Sequence, residues 1–344
     1  MAHNITQING VWQFLHTEGK PGWHELGIPV NGGISRDDAA DLLPFAMDVK
    51  SVPLFAMIGG KEVPVKGKAV TYREHDGTTI ACDVVGEAWA SAGLGVIFDF
   101  IDRICDNPHG KNMDTMGLLR DGKTLFIDVP LPRFDFEPVK GDKHETHLLI
   151  RQHASSYKLD TISTSAKRTV CENTEHMALG AAETMFTAGH NMQDQANMIA
   201  SAEEVLRAVE QDSNSLKMLL ADLSKVTPTA EQIDLVLGRL FPSEDGTTTR
   251  AASRRENRRE MILALAENGR GNDVKGIRGT AYGFYNGITE YVTHIKGRES
   301  KLALAREMGV PLGVDSKQFE STMIGSNADI LRELPNVLRE LVLN

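Results

Sequence analysis

The spacing of apolar and polar positions changes period several times along this chain. From Asp48 to Val85, "DVKSVPLFAMI", "EVPVKG", "KAVTYRE" and "TTIACDVV" alternate or run β-branched, with "GG" and "HDGT" between them. Period-two alternation bounded by turn residues predicts neighbouring β-hairpins. The first thirty residues, rich in Gly, Pro and Asn, read as loops around short apolar pieces. "SRDDAADLLPFA" predicts a short helix: Ser35 is suited to the N-cap, and Asp37 and Asp38 suit the positive end of the helix dipole. Glu87 to Cys105 has helical spacing through Trp89, Val96, Ile97, Phe100, Ile101 and Ile104. "MGLLRDGKTLFIDVPLP" predicts a hairpin about "RDGK", and "ETHLLIRQHA" and "YKLDTISTSAKRTV" predict further strands. Cys171 to Ala188 turns helical again.

From Gln193 onward the helical period dominates, broken at "KVTPTAEQ", "FPSEDGTTT", "ENGRGND" and "GVPLGVDS". In "TPTAEQIDLVLGRLF", Thr229 can cap and Gln232 stands three residues later, the signature of a capping box. Strands that follow one another as hairpins imply an α+β fold: an antiparallel, hairpin-rich sheet with packed helices, then an all-helical C-terminal part. The pattern places the α+β domain at residues 1–190 and the helical domain at 191–344.

Composition adds limits. The 344 residues are 41% hydrophobic and 24% charged, an ordinary globular balance. No apolar run approaches the roughly 20 residues that span a bilayer, and "MAHNITQING" lacks a basic segment followed by an apolar one. Three scattered cysteines, Cys82, Cys105 and Cys171, form no CxxC pair. A cytoplasmic protein with reduced thiols and no membrane segment is the expectation.

Charge is distributed unevenly. The chain carries a net charge of -10, yet residues 250–307 hold twelve Lys/Arg against seven Asp/Glu, which leaves the remainder at -15. A local basic region within an acidic protein suits an anionic ligand or a solvated helix face.

Candidate chemistry is sparse. "AGLGVIF" lacks the third glycine of a dinucleotide-binding loop and lies within a helical pattern, so it reads as close helix packing. His144 and His147 in "DKHETH" have no accompanying ligand cluster and read as exposed loop histidines; no metal is expected. His153 and Cys171 are the most enzyme-like pair: a thiol at a strand-to-helix junction beside Lys167 and Arg168 has a lowered pKa, and a neighbouring histidine completes a nucleophile pair. In "STSAKRTVCENT", extended backbone puts Ser165, Lys167 and Thr169 on one face. Arg151, Lys158 and Lys167 can then line a sheet surface that follows a phosphate backbone, with Tyr157 placed for stacking.

"KGIRGTAYGFYNGITEYVTHIKGR" (275–298) is the densest aromatic stretch. On a helix from Thr280, Ala281, Phe284, Tyr285, Ile288, Val292 and Ile295 form one apolar stripe, with Tyr282, Asn286, Thr289 and Thr293 towards another side. The basic, glycine-rich loop in front offers Arg270, Lys275 and Arg278, and such a loop can present backbone N–H groups to a phosphate.

The ordered set "PGWHELG", "LLRDGKTLFIDVPLP", "KRTVCENT" and "IRGTAYGFYNGITEYVTH" resembles the phage/plasmid-like proteins of domain of unknown function 932 over nearly the whole chain. "QHASSYKL" stands where those proteins more often have a His-Asp-Gly turn. The resemblance implies residence on phages, prophages and plasmids and carries no established reaction. The chain is more distantly similar to single-strand annealing recombinases of the Red-beta, RecT and Rad type, which implies a ring or helical homo-oligomer on single-stranded DNA with no cofactor. Phosphate contacts are then expected from Arg151, Lys158, Lys167, Arg168, Arg270, Lys275 and Arg278. Two alternatives stand beside this: a cysteine-dependent enzyme using Cys171 and His153, and a phage interaction protein that inhibits a host factor.

Overall fold

A computed structural model describes residues 5–19, 26–90, 93–155, 160–168, 174–176, 186–188, 201–242, 249–299, 321 and 326–343. The chain forms two compact units. The first comprises Met1–Leu131, His147–Ser163 and Glu183–Ala208; the second comprises Pro132–Thr146, Thr164–Ala182 and Val209–Asn344. The sequence pattern suggests one boundary near residue 190, whereas both units are assembled from separated segments. Local periodicity reports the type of an element, not which distant element its apolar face packs on.

In the first unit, β1 (Gln7–Ile8) and β2 (Val11–Trp12) form a hairpin over Asn9 and Gly10, both with positive φ as a tight hairpin turn requires. β3 (Phe14–Thr17) lies beside β4 (Ile28–Val30) in parallel register, the one parallel pair among the described strand pairings of this unit. Helices α1 (Arg36–Leu42) and α2 (Pro44–Met47) follow. Ser35 caps α1 as its sequence predicts, accepting from the Asp38 N–H while Asp38 returns a bond to Ser35.

β5 (Lys50–Ile58), β6 (Lys61–His75) and β7 (Thr78–Gly86) form the expected antiparallel meander. α3 (Leu94–Cys105) begins later than the spacing from Glu87 suggests, because residues 87–88 form a turn and 89–90 are irregular. It buries Leu94, Ile97, Phe98, Phe100, Ile101 and Ile104 on one face. β8 (Thr115–Leu119) and β9 (Thr124–Pro130) make the hairpin read from "RDGK", with Arg120, Asp121 and Gly122 all at positive φ. β10 (His144–His153) pairs with β9 from His147 onward. The order β10-β9-β8-β3-β4 results.

Arg73 on β6 is completely buried in this unit. It donates to the Gly122 carbonyl (2.8 Å), the Ala46 carbonyl (2.9 Å) and the Phe45 carbonyl (3.2 Å). Burial pushes its pKa down to about 10, still far above neutrality, so a full charge is held on backbone dipoles.

β11 (Asp160–Arg168) pairs through its start with β13 (Phe186–Ala188) and through its end with β12 (Thr174–His176). At Thr174–His176 and Phe186–Ala188 the structure has strands where the sequence predicts a helix; the rest of the span from Cys171 to Ala188 lies outside the described residues. Thr174, Thr187 and Phe186 are β-formers, and sheet partners distant in sequence override a weak helical period.

Among the described residues the helices that follow are α4 (Ala202–Leu223), α5 (Ala230–Leu240), α6 (Thr249–Asn268), α7 (Ala281–Glu290) and α8 (Ser326–Leu338). α7 continues as a wider π-type turn over Tyr291–Ile295. Thr229 caps α5 with Gln232 in the predicted capping box. In the second unit, Leu216, Leu220, Val236, Leu240, Ile262, Leu334 and Val337 form a core with α7. No helix among the described residues is long and apolar enough to cross a membrane.

Candidate nucleic-acid interface

All ten residues of α7 are buried, not only its apolar stripe. Ala281, Phe284, Tyr285, Ile288, Val292 and Ile295 are covered as predicted, but Tyr282, Asn286, Thr289 and Thr293 are buried too. A helix surrounded on every side needs polar partners for that second face. Tyr282 donates its hydroxyl to Asp142 and lies 2.9 Å from Nε2 of His144. With its proton committed to the carboxylate, the hydroxyl accepts from the imidazole. His144 also stacks on Phe136 at 4.9 Å. His144 and His147 are therefore buried strand residues rather than exposed loop ones, His147 bonding Asp128 at 2.9 Å.

Two glycines let α7 approach α6 closely. A Cβ on Gly287 would stand 2.7 Å from the Ile262 carbonyl and 2.8 Å from the Ala266 nitrogen; one on Gly283 would stand 2.7 Å from the Ile277 carbonyl. Their four-residue spacing in "GFYNG" is the sequence signal that the periodicity reading passes over.

This central helix anchors the loop before it. Asn272 is fully buried and donates to the carbonyls of Leu265 and Ala266, both at 3.0 Å, closing the end of α6. Its oxygen accepts from Asn286 on α7 (3.0 Å). Glu290 accepts from the Arg270 N–H at 3.1 Å. The N-terminus of α7 is satisfied internally: the Ala281 N–H reaches the Val226 carbonyl and Thr280 caps Gly283. The backbone N–H groups expected to cradle a phosphate thus include some held by a buried carboxylate, a carbonyl and a cap. Arg270, Lys275 and Arg278 are exposed beside them.

Arg270, Lys275 and Arg278 are exposed on this loop, so the structure brings these three predicted residues together. Lys275 and Arg278 form no ion pair with a described residue. Burial first, then the charges of Arg270 and Arg298, hold the His294 pKa down at about 4, so a positive potential reaches beneath the loop.

Along α6 runs a groove of about 930 Å³ lined by Arg254, Asn257, Arg258, Asn268, Tyr291 and Glu299, among others. Arg258 sits 4.8 Å over the Phe241 ring, and Arg259 pairs with Asp234 at 2.7 Å. Tyr291 is 2% exposed and donates to Glu299 at 2.6 Å, so its ring forms floor rather than stacking platform. In the sequence Arg254 and Arg258 register only as charge; α6 aligns them along one groove.

The other predicted residues lie elsewhere. Arg151 is buried at 8% exposure on β10, opposite Phe126. Lys167 is half-buried near the end of β11, next to Arg168, which the same strand includes. Tyr157, Lys158 and Cys171 lie outside the described residues. His153 is 5% exposed; its ring nitrogen lies 3.1 Å from the Thr124 hydroxyl, and its N–H donates to Asp160. Among the described residues no group of three or more His, Cys, Asp and Glu is arranged to hold a metal ion.

No curated protein and no solved structure matches the chain. A family model described as Domain of unknown function (DUF932) matches residues 81–310, which include α6, the cationic loop and α7. The chain belongs to the DUF932 family.

Proposed function

We propose that the protein binds single-stranded nucleic acid through the second unit, with the loop of residues 269–279 and the groove of α6 as the contact surface, and that it promotes strand annealing as an oligomer. The supporting observation is the pinned cationic loop. Asn272 and Glu290 fix its backbone from beneath, while Lys275 and Arg278 project into solvent with no described carboxylate to neutralise them. Cations free of described carboxylate partners in a chain of net charge -10 suit an external polyanion. Arg270 adds a third charge, and Arg254 with Asn257 extends the track along α6.

Direct burial takes Arg151 out of the proposed contact set. Backbone contact without base-edge recognition implies binding tolerant of sequence and sensitive to salt. Fluorescence anisotropy with a labelled single-stranded oligonucleotide tests this. Affinity is expected to fall steeply as salt rises. The triple variant Arg270→Glu, Lys275→Glu, Arg278→Glu is expected to lose at least about tenfold in affinity with unchanged circular dichroism. Absence of binding at low salt, or an unaffected triple variant, overturns the reading.

A further inference from the structure

β5 and β6 extend beyond their sheet. β7 ends at Gly86, opposite Lys68, so the strands from Phe55 to Pro64 have only each other as described partners. A bulge separates this arm from its base, where pairing passes from Pro53–Ala69 to Phe55–Pro64 and Gly67 adopts positive φ.

Cross-strand register determines which residues share a face. Phe55 and Pro64 lie opposite each other, with Met57 two residues along on the same face. Ala56 and Val63 lie opposite each other on the other face, with Ile58 beside them. Phe55 is 52% exposed, Met57 66%, Ile58 62% and Val63 41%. Both faces therefore expose apolar side chains to water, with Glu62 opposite Met57 and Lys61 opposite Ile58. A two-stranded ribbon alone is marginal, and an arm apolar on both sides fits into a cleft rather than onto a flat surface.

We infer that this arm inserts into a second copy of the chain. Residues 50–68 carry four lysines and one glutamate, a local +3 that leaves -13 on the remainder, so an acidic surface of another copy is electrostatically complementary. Nucleic acid satisfies Lys61 and Lys66 but leaves Met57, Ile58 and Val63 hydrated, whereas a protein cleft covers both sets. The arm donates to a surface unlike itself. Such heterologous contacts propagate as closed rings or open filaments.

The inference is independent of the cationic loop, and its first measurement needs no nucleic acid. Analytical ultracentrifugation of the full chain over a range of concentrations is the measurement. The wild type is expected to sediment as an oligomer. The variant Phe55→Ser, Met57→Ser, Ile58→Ser is expected to sediment as a single chain, with unchanged circular dichroism because these side chains contribute little to the folded core. A wild type monomeric at every concentration overturns the inference, as does a variant that keeps the oligomer. A variant that stays oligomeric but loses oligonucleotide affinity assigns the arm to nucleic acid instead. A monomeric variant that still binds oligonucleotide supports the arm and leaves the loop reading standing.

Discussion

Arg73 in the first unit and the Lys275/Arg278 pair in the second are cations treated in opposite ways. Arg73 has no access to water and gives its N–H groups to three carbonyls of α2 and the β8–β9 turn. Lys275 and Arg278 stand exposed on a loop pinned from inside by Asn272 and Glu290, so their charges are left for solvent. A buried charge joins segments that are distant in sequence; an exposed, unpaired one adds little to stability and is available to a partner. Substitutions should separate the two roles.

The largest effect is expected from Arg73→Met, which leaves three buried carbonyls without their donor. A loss of about 4 kcal/mol in urea unfolding follows; a loss below about 1 kcal/mol would show that water replaces the guanidinium. Gly287→Ala comes next. Its methyl meets the α6 backbone, which has no rotamer with which to yield, and about 3 kcal/mol is expected to be lost. Thermal melts of the Gly287 and Gly283 alanine variants would check whether packing is as tight as the 2.7 Å approaches to the Ile262 and Ile277 carbonyls imply.

Tyr282→Phe should cost about 2 kcal/mol, because Asp142 and His144 each lose a buried partner. The aromatic body stays, so an unchanged unfolding midpoint would mean the two groups satisfy each other at their 3.6 Å separation.

Asp212 gives a pH signature. Burial raises its pKa from 3.8 to about 6, with the Thr164 hydroxyl acting against that rise. The folded state therefore binds the proton more tightly than the unfolded one, and this contribution to stability is full below the unfolded pKa and lost as pH rises through about 6. Asp212→Asn is expected to gain about 1 kcal/mol above that range and nothing below about pH 4. His294 slopes the other way: its lowered pKa contributes stability above 6.5 that disappears as pH falls towards about 4.

The smallest effect on folding belongs to Lys275→Gln. Its unfolding curve should overlay the wild type, while the salt slope of oligonucleotide binding should shrink by about 0.7 for one lost phosphate contact. A change in stability without a change in slope would place Lys275 with Arg73, as a structural cation.

Much of the fold was legible because it is encoded over short distances. The caps at Ser35 and Thr229 each need only a residue three positions on, and the β5–β7 meander and β8–β9 hairpin follow from alternation around Gly-containing turns. The candidate site was legible in part. Arg270, Lys275 and Arg278 were identified from composition, but Arg151 looked the same in the sequence and is buried. A lone charge on an alternating strand carries no local mark of which face is covered.

The sequence by itself determined the order and type of most elements, the apolar stripe of α7 and the concentration of positive charge near it, since hydrogen-bonding period, capping and charge are properties of neighbouring residues. Only the tertiary structure decided that the polar side of α7 is buried as well, with Tyr282 on Asp142 and Asn286 on Asn272. It also decided that Glu290 takes a loop N–H group that the sequence assigns to a phosphate, and that the β5–β6 arm exposes apolar side chains on both faces. Those outcomes depend on which distant segments meet, because burial is a property of the packed chain and not of any stretch within it.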